Sequence, residues 1–300
     1  MVREVSSVKT KKSGLERTFD ICLYAVLSVL VVVTLYPLIY VAFASISDAA
    51  YIVAHKGILW KPVGVNFEAY KSVFANDAIW SGYKNTLFII VFGVMLNLFM
   101  TSLGAYVLSR KNVMLNKPFM IFIIITMFFH GGLIPFYLVV KGVGLLDTLW
   151  APIIPFAINT FNLIILRTSF QSIPDSLEEA AKMDGANHLV ILFRIILPLS
   201  LPIMAVMTLY YAVDKWNGWF YSSIFISDRD LFPLQLVIRE ILIANSTEGM
   251  SSGGSGNDLF QIGETIKYAT IMVSTLPILM VYPYLQRYFV KGVMVGSLKG

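Results

Sequence analysis

Leu177–Pro202 reads LEEAAKMDGANHLVILFRIILPLSLP. A short charged, alanine-rich stretch passes through a glycine into an apolar run broken by prolines. The first half has the composition of a water-facing helix, and the second half that of a segment dissolved in hydrocarbon. The chain on either side decides how the two belong together.

Of the 300 residues, 57% are hydrophobic and 14% charged, and the mean hydropathy is +0.73. A bilayer core of about 30 Å is crossed by about 20 apolar residues rising 1.5 Å each in a helix. Six such runs occur, at about 20–46, 84–108, 118–140, 149–169, 195–215 and 265–287. The expected fold is therefore an all-α integral membrane protein with six transmembrane helices. The first run follows a basic tail and ends near Ala42–Ser45, AFAS, which mimics a signal-peptide cleavage site. Its apolar core is much longer than the roughly 7–15 residues of a signal peptide, so it reads as an uncleaved anchor. Cys22, the lone cysteine, lies in this run and is expected to be a small buried hydrophobe.

Placing both termini in the cytoplasm puts 14 of the 23 Lys and Arg inside and 9 outside, in accord with the positive-inside rule. The resulting layout has a cytoplasmic tail at 1–19, a transmembrane domain at 20–290 and a cytoplasmic tail at 291–300. The quoted helix falls in a cytoplasmic segment, 172–193, and the large outer loops are 47–83 and 216–264. Topology accounts for the sequence pI near 9.1, so no nucleic-acid partner is expected. Ser246–Asp258, STEGMSSGGSGND, is flexible by composition and reads as a solvated loop or one that reaches into an external partner. His130–Pro135, HGGLIP, and Leu197–Pro202, LPLSLP, should kink their spans, because proline removes a backbone donor. The freed carbonyls then need partners from other helices or cavity water.

The chain has no GxxxxGK[ST], HExxH, CxxC or GxSxG pattern. His55, His130 and His188 are too far apart in the layout to form one metal site. No span carries the paired carboxylates of a proton relay. No catalytic residue, metal site or cofactor site is therefore expected in this chain.

Within the quoted helix, Pro174 suits the start and Asp175 or Ser176 the cap, with Ser176-x-x-Glu179 forming a capping-box pattern. Glu178 and Lys182 are spaced for an ion pair. Ala180 and Ala181 leave one side low in profile, Gly185 permits a sharp turn, and Ala186 continues the low profile. Small and polar residues stand where a membrane-resting helix would carry Leu, Phe or Trp. A helix that docks into the groove of a soluble protein fits better.

Glu179-Ala180-Ala181, three residues, Gly185, nine residues, Ile195, one residue and Leu197-Pro198 match the EAA loop of permease subunits of binding-protein-dependent ABC importers. WKPVGVNFEAYKSVFAN, GGLIPFYLVVKGVGLLDTLW, SIPDSLEEAAKMDGA, KWNGWF and KGVMVGSLKG extend the resemblance over about residues 17–300. These segments are most similar to carbohydrate-uptake permeases of the oligosaccharide branch. The resemblance implies a type I ABC importer permease fold in the bacterial plasma membrane. It further implies a second permease, a distinct paralogue in this family's usual arrangement, two ATP-binding subunits that hold ATP and Mg, and an extracytoplasmic substrate-binding protein. Glu178, Glu179, Ala180, Ala181, Asp184, Gly185 and Ala186 would form the ATPase-coupling surface. Glu179 would reach polar groups of the ATP-binding subunit, with the alanines packed in its cleft and Gly185 turning the chain back into span five.

For a sugar pathway the resemblance points to Asn159 and Asn162, three apart and so near one face, and to Tyr210, Tyr211, Asp214, Trp216, Asn217 and Trp219. Interfacial Trp and Tyr, and Asn as helix–helix glue, are the competing readings. Ser246, Glu248, Met250, Asn257 and Asp258 fall where a family loop probes the binding protein. A permease for a peptide or metal is the alternative, and a stand-alone channel or secondary carrier the more distant one. On the outside, 9 basic residues stand against 11 acidic, which does not decide whether the saccharide is acidic.

Overall fold

The computed structural model describes residues 13–54, 57–111, 113–251, 263–281 and Pro283, with only the backbone helix described for 244–251. Its contacts divide it into two compact units. One comprises the described residues through Tyr70 together with Gly263–Met272; the other begins at Lys71 and takes in the rest.

In the first unit, helix α1 (Gly14–Ser45) starts where the Glu16 carboxylate accepts from the Ser13 N–H at 2.9 Å. None of its most apolar stretch is buried, so its greasy surface is left for lipid or a partner chain. Cys22 is exposed with it, contrary to the expectation of burial. Beyond α1 the chain doubles back: Asp48 N–H donates to Val63 O at 2.9 Å, Asn66 N–H to Ile46 O at 2.9 Å, and Val63 N–H to Ser47 Oγ at 3.1 Å. Ala44, Ile52 and Leu59 form a small core there, with Tyr40, Phe43, Tyr51 and Tyr268 packed against it.

The second unit is built around α2 (Asp77–Ser109). Its buried stripe is unusual for a soluble protein: Gly82, Thr86, Gly93, Asn97, Thr101 and Ala105 face inward, while Leu87, Val91, Met95 and Phe99 face out. In a membrane this is the expected inversion. Lipid is as apolar as leucine, so helices associate through small residues that allow close approach and polar ones that hydrogen-bond across. Gly82 shows the first device, since a Cβ there would stand 3.0 Å from Leu234 Cα. Thr86 and Asn97 show the second: Thr86 Oγ1 accepts from Leu234 N–H at 2.8 Å, and Asn97 Nδ2 donates to Ala157 O at 2.9 Å and Phe156 O at 2.5 Å.

Besides two short helices at Ala49–Ala54 and Glu68–Phe74, the chain forms α3 (Asn116–Phe128), α4 (Leu133–Gly142), α5 (Thr160–Gln171), α6 (Asp175–Met183), α7 (His188–Leu199), α8 (Leu201–Asn217), α9 (Phe220–Phe225), α10 (Leu234–Ser251) and α11 (Gly263–Val281). Of these, α5, α8 and α10 pack on α2.

The kinks expected at HGGLIP and LPLSLP are present, and among the described residues two of the expected spans are bent pairs of helices. Three helices, α1, α2 and α11, are long and apolar enough to cross a membrane, or up to five spans if each bent pair counts as one. α3 and α4 meet at 111° across Gly131-Gly132, and α7 and α8 at 87° around Ser200. α7 also contains a π-helical turn, Leu192–Ile196, just before Pro198. The run expected at 149–169 is not one helix: Pro152 and Pro155 lack donors, and only a short 3₁₀ turn, Ile154–Phe156, precedes α5. The carbonyls this frees at Phe156 and Ala157 are the two that Asn97 takes up, as hydrocarbon demands. At the other large departure, α10 continues helically through Ser251, so the first residues of the expected flexible loop belong to a helix.

Candidate functional site

α6 begins at Pro174, whose φ of −58° suits a helix start and which offers no side-chain cap. The expected cap by Asp175 or Ser176 and its capping box are therefore not formed; Asp175 instead occupies the first turn, where a carboxylate suits the helix dipole. Lys111 Nζ bonds Asp175 Oδ2 at 2.6 Å, and this hydrogen bond holds the Asp175 carboxyl below its ordinary value.

Glu178 turns inward and is buried. Arg110, at the end of α2, pairs with its Oε2, and Lys182 Nζ lies 2.9 Å from its Oε1. Burial alone would raise the Glu178 carboxyl, but the hydrogen bonds from Lys182 and Arg110 outweigh it and hold the group below its ordinary value. Arg110 is a three-way clamp: Nη2 donates to Phe170 O at 3.3 Å at the end of α5, Nε donates to Ser109 Oγ at 3.0 Å, and the guanidinium lies 5.0 Å over the Tyr106 ring. One planar cation thus joins α2, α5 and α6. The sequence reading missed it, counting Arg110 only as an inside charge; nothing in local spacing links it to a glutamate 68 residues away.

Ala181 is buried in a core cluster with Phe170, Ile191 and Leu192, and Ala186 packs against the same cluster. Ala181 and Glu178 are thus buried within the chain, and Ala186 is partly so. The uncovered face of α6 is Glu179, Ala180 and Met183, the last 89% exposed, continued by Asp184 and Gly185. The helix ends in a Schellman arrangement: Gly185 N–H donates to Lys182 O at 3.0 Å and Ala186 N–H to Ala181 O at 2.9 Å, with Gly185 at φ +79°. Asn187 Oδ1 then accepts from Val190 N–H at 2.9 Å and caps α7. Beside α6 lies a cavity of about 380 Å³ walled chiefly by Arg110, Lys111, Glu178, Glu179, Lys182 and His188.

The expected pathway residues separate into two groups. Asp214, Asn217 and Trp219 line a second cavity, of about 220 Å³, together with Phe156, Lys215 and Tyr221. The others are not brought to it. Asn159 is the N-cap of α5, its Oδ1 accepting from Asn162 N–H at 3.1 Å. Asn162 is buried, and the Tyr211 hydroxyl bonds Thr101 Oγ1 at 2.7 Å, which is helix–helix glue. Trp216 is buried with its ring 6.3 Å from Tyr83, and Tyr210 is 40% exposed. Ser246, Glu248 and Met250 stand on the backbone of α10, while Asn257 and Asp258 lie outside the described residues.

Residues 88–295 match the family model of the binding-protein-dependent transport system inner membrane component. The chain belongs to this family. The permease is 43% identical over 286 residues to the polygalacturonan/rhamnogalacturonan transport system permease protein YtcP of Bacillus subtilis (strain 168), covering 95% of this chain and 99% of that one. Protein LplC of the same organism is 39% identical over 297 residues, covering 99% of both chains. A chain from the crystal structure of a bacterial ABC transporter involved in the import of the acidic polysaccharide alginate superposes with a TM-score of 0.83 at 35% identity, over 93% of this permease and 99% of that chain. The all-helical fold is thus that of an ABC importer's membrane component, and the permease is a transport subunit.

Proposed function

We propose that this permease forms half of the translocation pathway for a sugar or oligosaccharide and takes its power stroke through α6 from a separate ATP-hydrolysing subunit. The observation that carries the coupling role is the two-sidedness of α6. Glu178 and Ala181 fasten one face to α2, α5 and α7, while Glu179, Ala180 and Met183 leave the other bare. A push on the bare face is therefore delivered to the packed helices rather than absorbed by a loose connector. The saccharide class is supported by YtcP and the alginate importer, and by the melibiose/raffinose/stachyose import permease protein MelC of B. subtilis at 27% identity.

In this proposal six spans, some bent, place both tails (1–19 and 291–300) in the bacterial cytoplasm, flanking a transmembrane domain at 20–290 in the type I arrangement. The working assembly adds a second, distinct permease, two ATP-binding subunits carrying ATP and Mg, and an extracytoplasmic substrate-binding protein. Asp184 and Gly185 border the coupling face, and Ser246–Asp258 would face the binding protein. The test is Glu179→Lys in the complete transporter. ATP-driven uptake should collapse while membrane insertion stays normal, and uptake at the wild-type rate would remove the docking role from α6.

A further inference from the structure

A further cavity, of about 300 Å³, lies between Leu87 and Ile90 of α2, Ala212 and Trp216 of α8, and Pro277 and Ile278 of α11. No residue of its wall carries a charge, an amide or a hydroxyl group. Specific contacts hold this cleft in shape. Pro277 has no N–H, so the Val273 carbonyl one turn earlier loses its helical donor. The Tyr83 hydroxyl donates to that carbonyl at 2.6 Å, and the tyrosine ring stands 6.3 Å from Trp216. One side chain of α2 thus fixes both α8 and α11, with the cleft between them.

Water would find no hydrogen-bond partner there, and a helix, about 10 Å across with its side chains, could only roof the cleft. A single acyl chain fits along it. Lipid is as apolar as leucine, so the cleft alone would not choose between lipids. The choice lies at its end. With 33 residues α2 is about 50 Å long, against a hydrocarbon core of about 30 Å. About 10 Å is thus left over at each end, and Lys84, two turns after Asp77, stands at that boundary. Lys84, Leu87 and Ile90 follow one another at three-residue steps, which places the lysine at the end of the cleft. It is exposed and forms no ion pair among the described residues. Trp80, one turn before it, is exposed as well, as an aromatic at the headgroup level should be.

We propose that α2, α8 and α11 form a site for one anionic phospholipid, with an acyl chain along Trp216 and the headgroup phosphate on Lys84. An anionic lipid offers its phosphate freely, whereas a zwitterionic one already carries a cation beside it. The test uses the purified assembled transporter in phosphatidylcholine vesicles that hold a minor fraction of lipid with dibrominated chains. That lipid is either phosphatidylglycerol or phosphatidylcholine. Bromine quenches nearby tryptophan, and the fluorescence missing from Trp216→Phe isolates the Trp216 signal. Brominated phosphatidylglycerol should quench this signal at a fraction about fivefold lower than brominated phosphatidylcholine, the factor one lysine contributes near an anionic headgroup. Lys84→Gln should make the two lipids equal, and Lys84→Arg should keep the preference. Ala212→Phe, which fills the cleft, should protect Trp216 from both. Equal quenching in the wild type would mean ordinary bulk lipid, and no quenching by either would mean that a neighbouring subunit covers the cleft. Each of these overturns the site, as does a preference unchanged in Lys84→Gln or quenching unchanged in Ala212→Phe. Should Trp216→Phe fail to assemble, native mass spectrometry decides: the wild type should retain one phosphatidylglycerol more than Lys84→Gln, and equal retention overturns the site. Neither readout depends on transport.

Discussion

Replacing Arg110 by Met removes the cation that ties α6 to the rest of the permease. The side chains of Arg110 and Glu178 are only 13% and 10% exposed, so the pair is a buried one. Removing one partner of a buried ion pair costs about 3–5 kcal/mol, because the other charge is left without compensation. Here Glu178 retains Lys182 at 2.9 Å, but that lysine is 47% exposed and its attraction is screened by solvent. We place the loss at about 2–3 kcal/mol, a factor of about 30 to 150 in the equilibrium for α6 leaving its seat. Hydrogen exchange on the membrane-embedded chain reads this directly as faster exchange of the Ala181 and Lys182 amides, with α2 amides near Asn97 unchanged. Glu178→Gln should cost less, since Arg110 still has Phe170 O, Ser109 Oγ and the Tyr106 ring. The pH dependence has a definite sign. Glu178 is held below its ordinary value, so its contribution is complete above that value and is lost as pH falls through the lowered one. Acidification should loosen α6 in the wild type and much less in Glu178→Gln. Unchanged protection of α6 in Arg110→Met would refute the clamp.

Gly185→Leu should cost about 1–2 kcal/mol through the left-handed backbone at φ +79° and not through a clash, since nothing stands within 4 Å of its Cβ position. Gly185→Asn should recover most of this loss, measured as the melting temperature of the purified permease. Asn97→Leu should destabilise by about 1–3 kcal/mol, because the Phe156 and Ala157 carbonyls lose their donor away from water. A melting temperature equal to wild type would mean that other donors serve those carbonyls.

Much of the coupling segment was legible from local chemistry. The Glu178–Lys182 pair, the glycine turn at 185 and a helix starting at Asp175 follow from spacing within two turns, and they are present. What spacing did not reveal is which side of that helix faces the protein. Alanines look equally suited to a partner's cleft and to the chain's own core; Ala181 went inward because Phe170, Ile191 and Leu192 arrive from distant segments to meet it. The pathway residues were ambiguous in the sequence for a related reason. Tyr, Asn and Trp near a span end serve equally as glue or as ligand groups, and only packing assigned Tyr211 to Thr101 while leaving Trp219 at a cavity.

The sequence by itself determined that this chain lives in a membrane, that it has no phosphate-binding loop of its own, and that a water-facing helix interrupts its apolar runs. Those are statements about composition and short spacing, which hold whatever the long-range fold. Only the tertiary structure decided that the run expected at 149–169 is interrupted with Asn97 on its carbonyls, that Arg110 joins three helices, and that Lys215 threads past Gly93 to the Pro152 carbonyl. Each of these depends on residues about 60 or more positions apart meeting in a medium that offers backbone and charge no water. That meeting is set by packing.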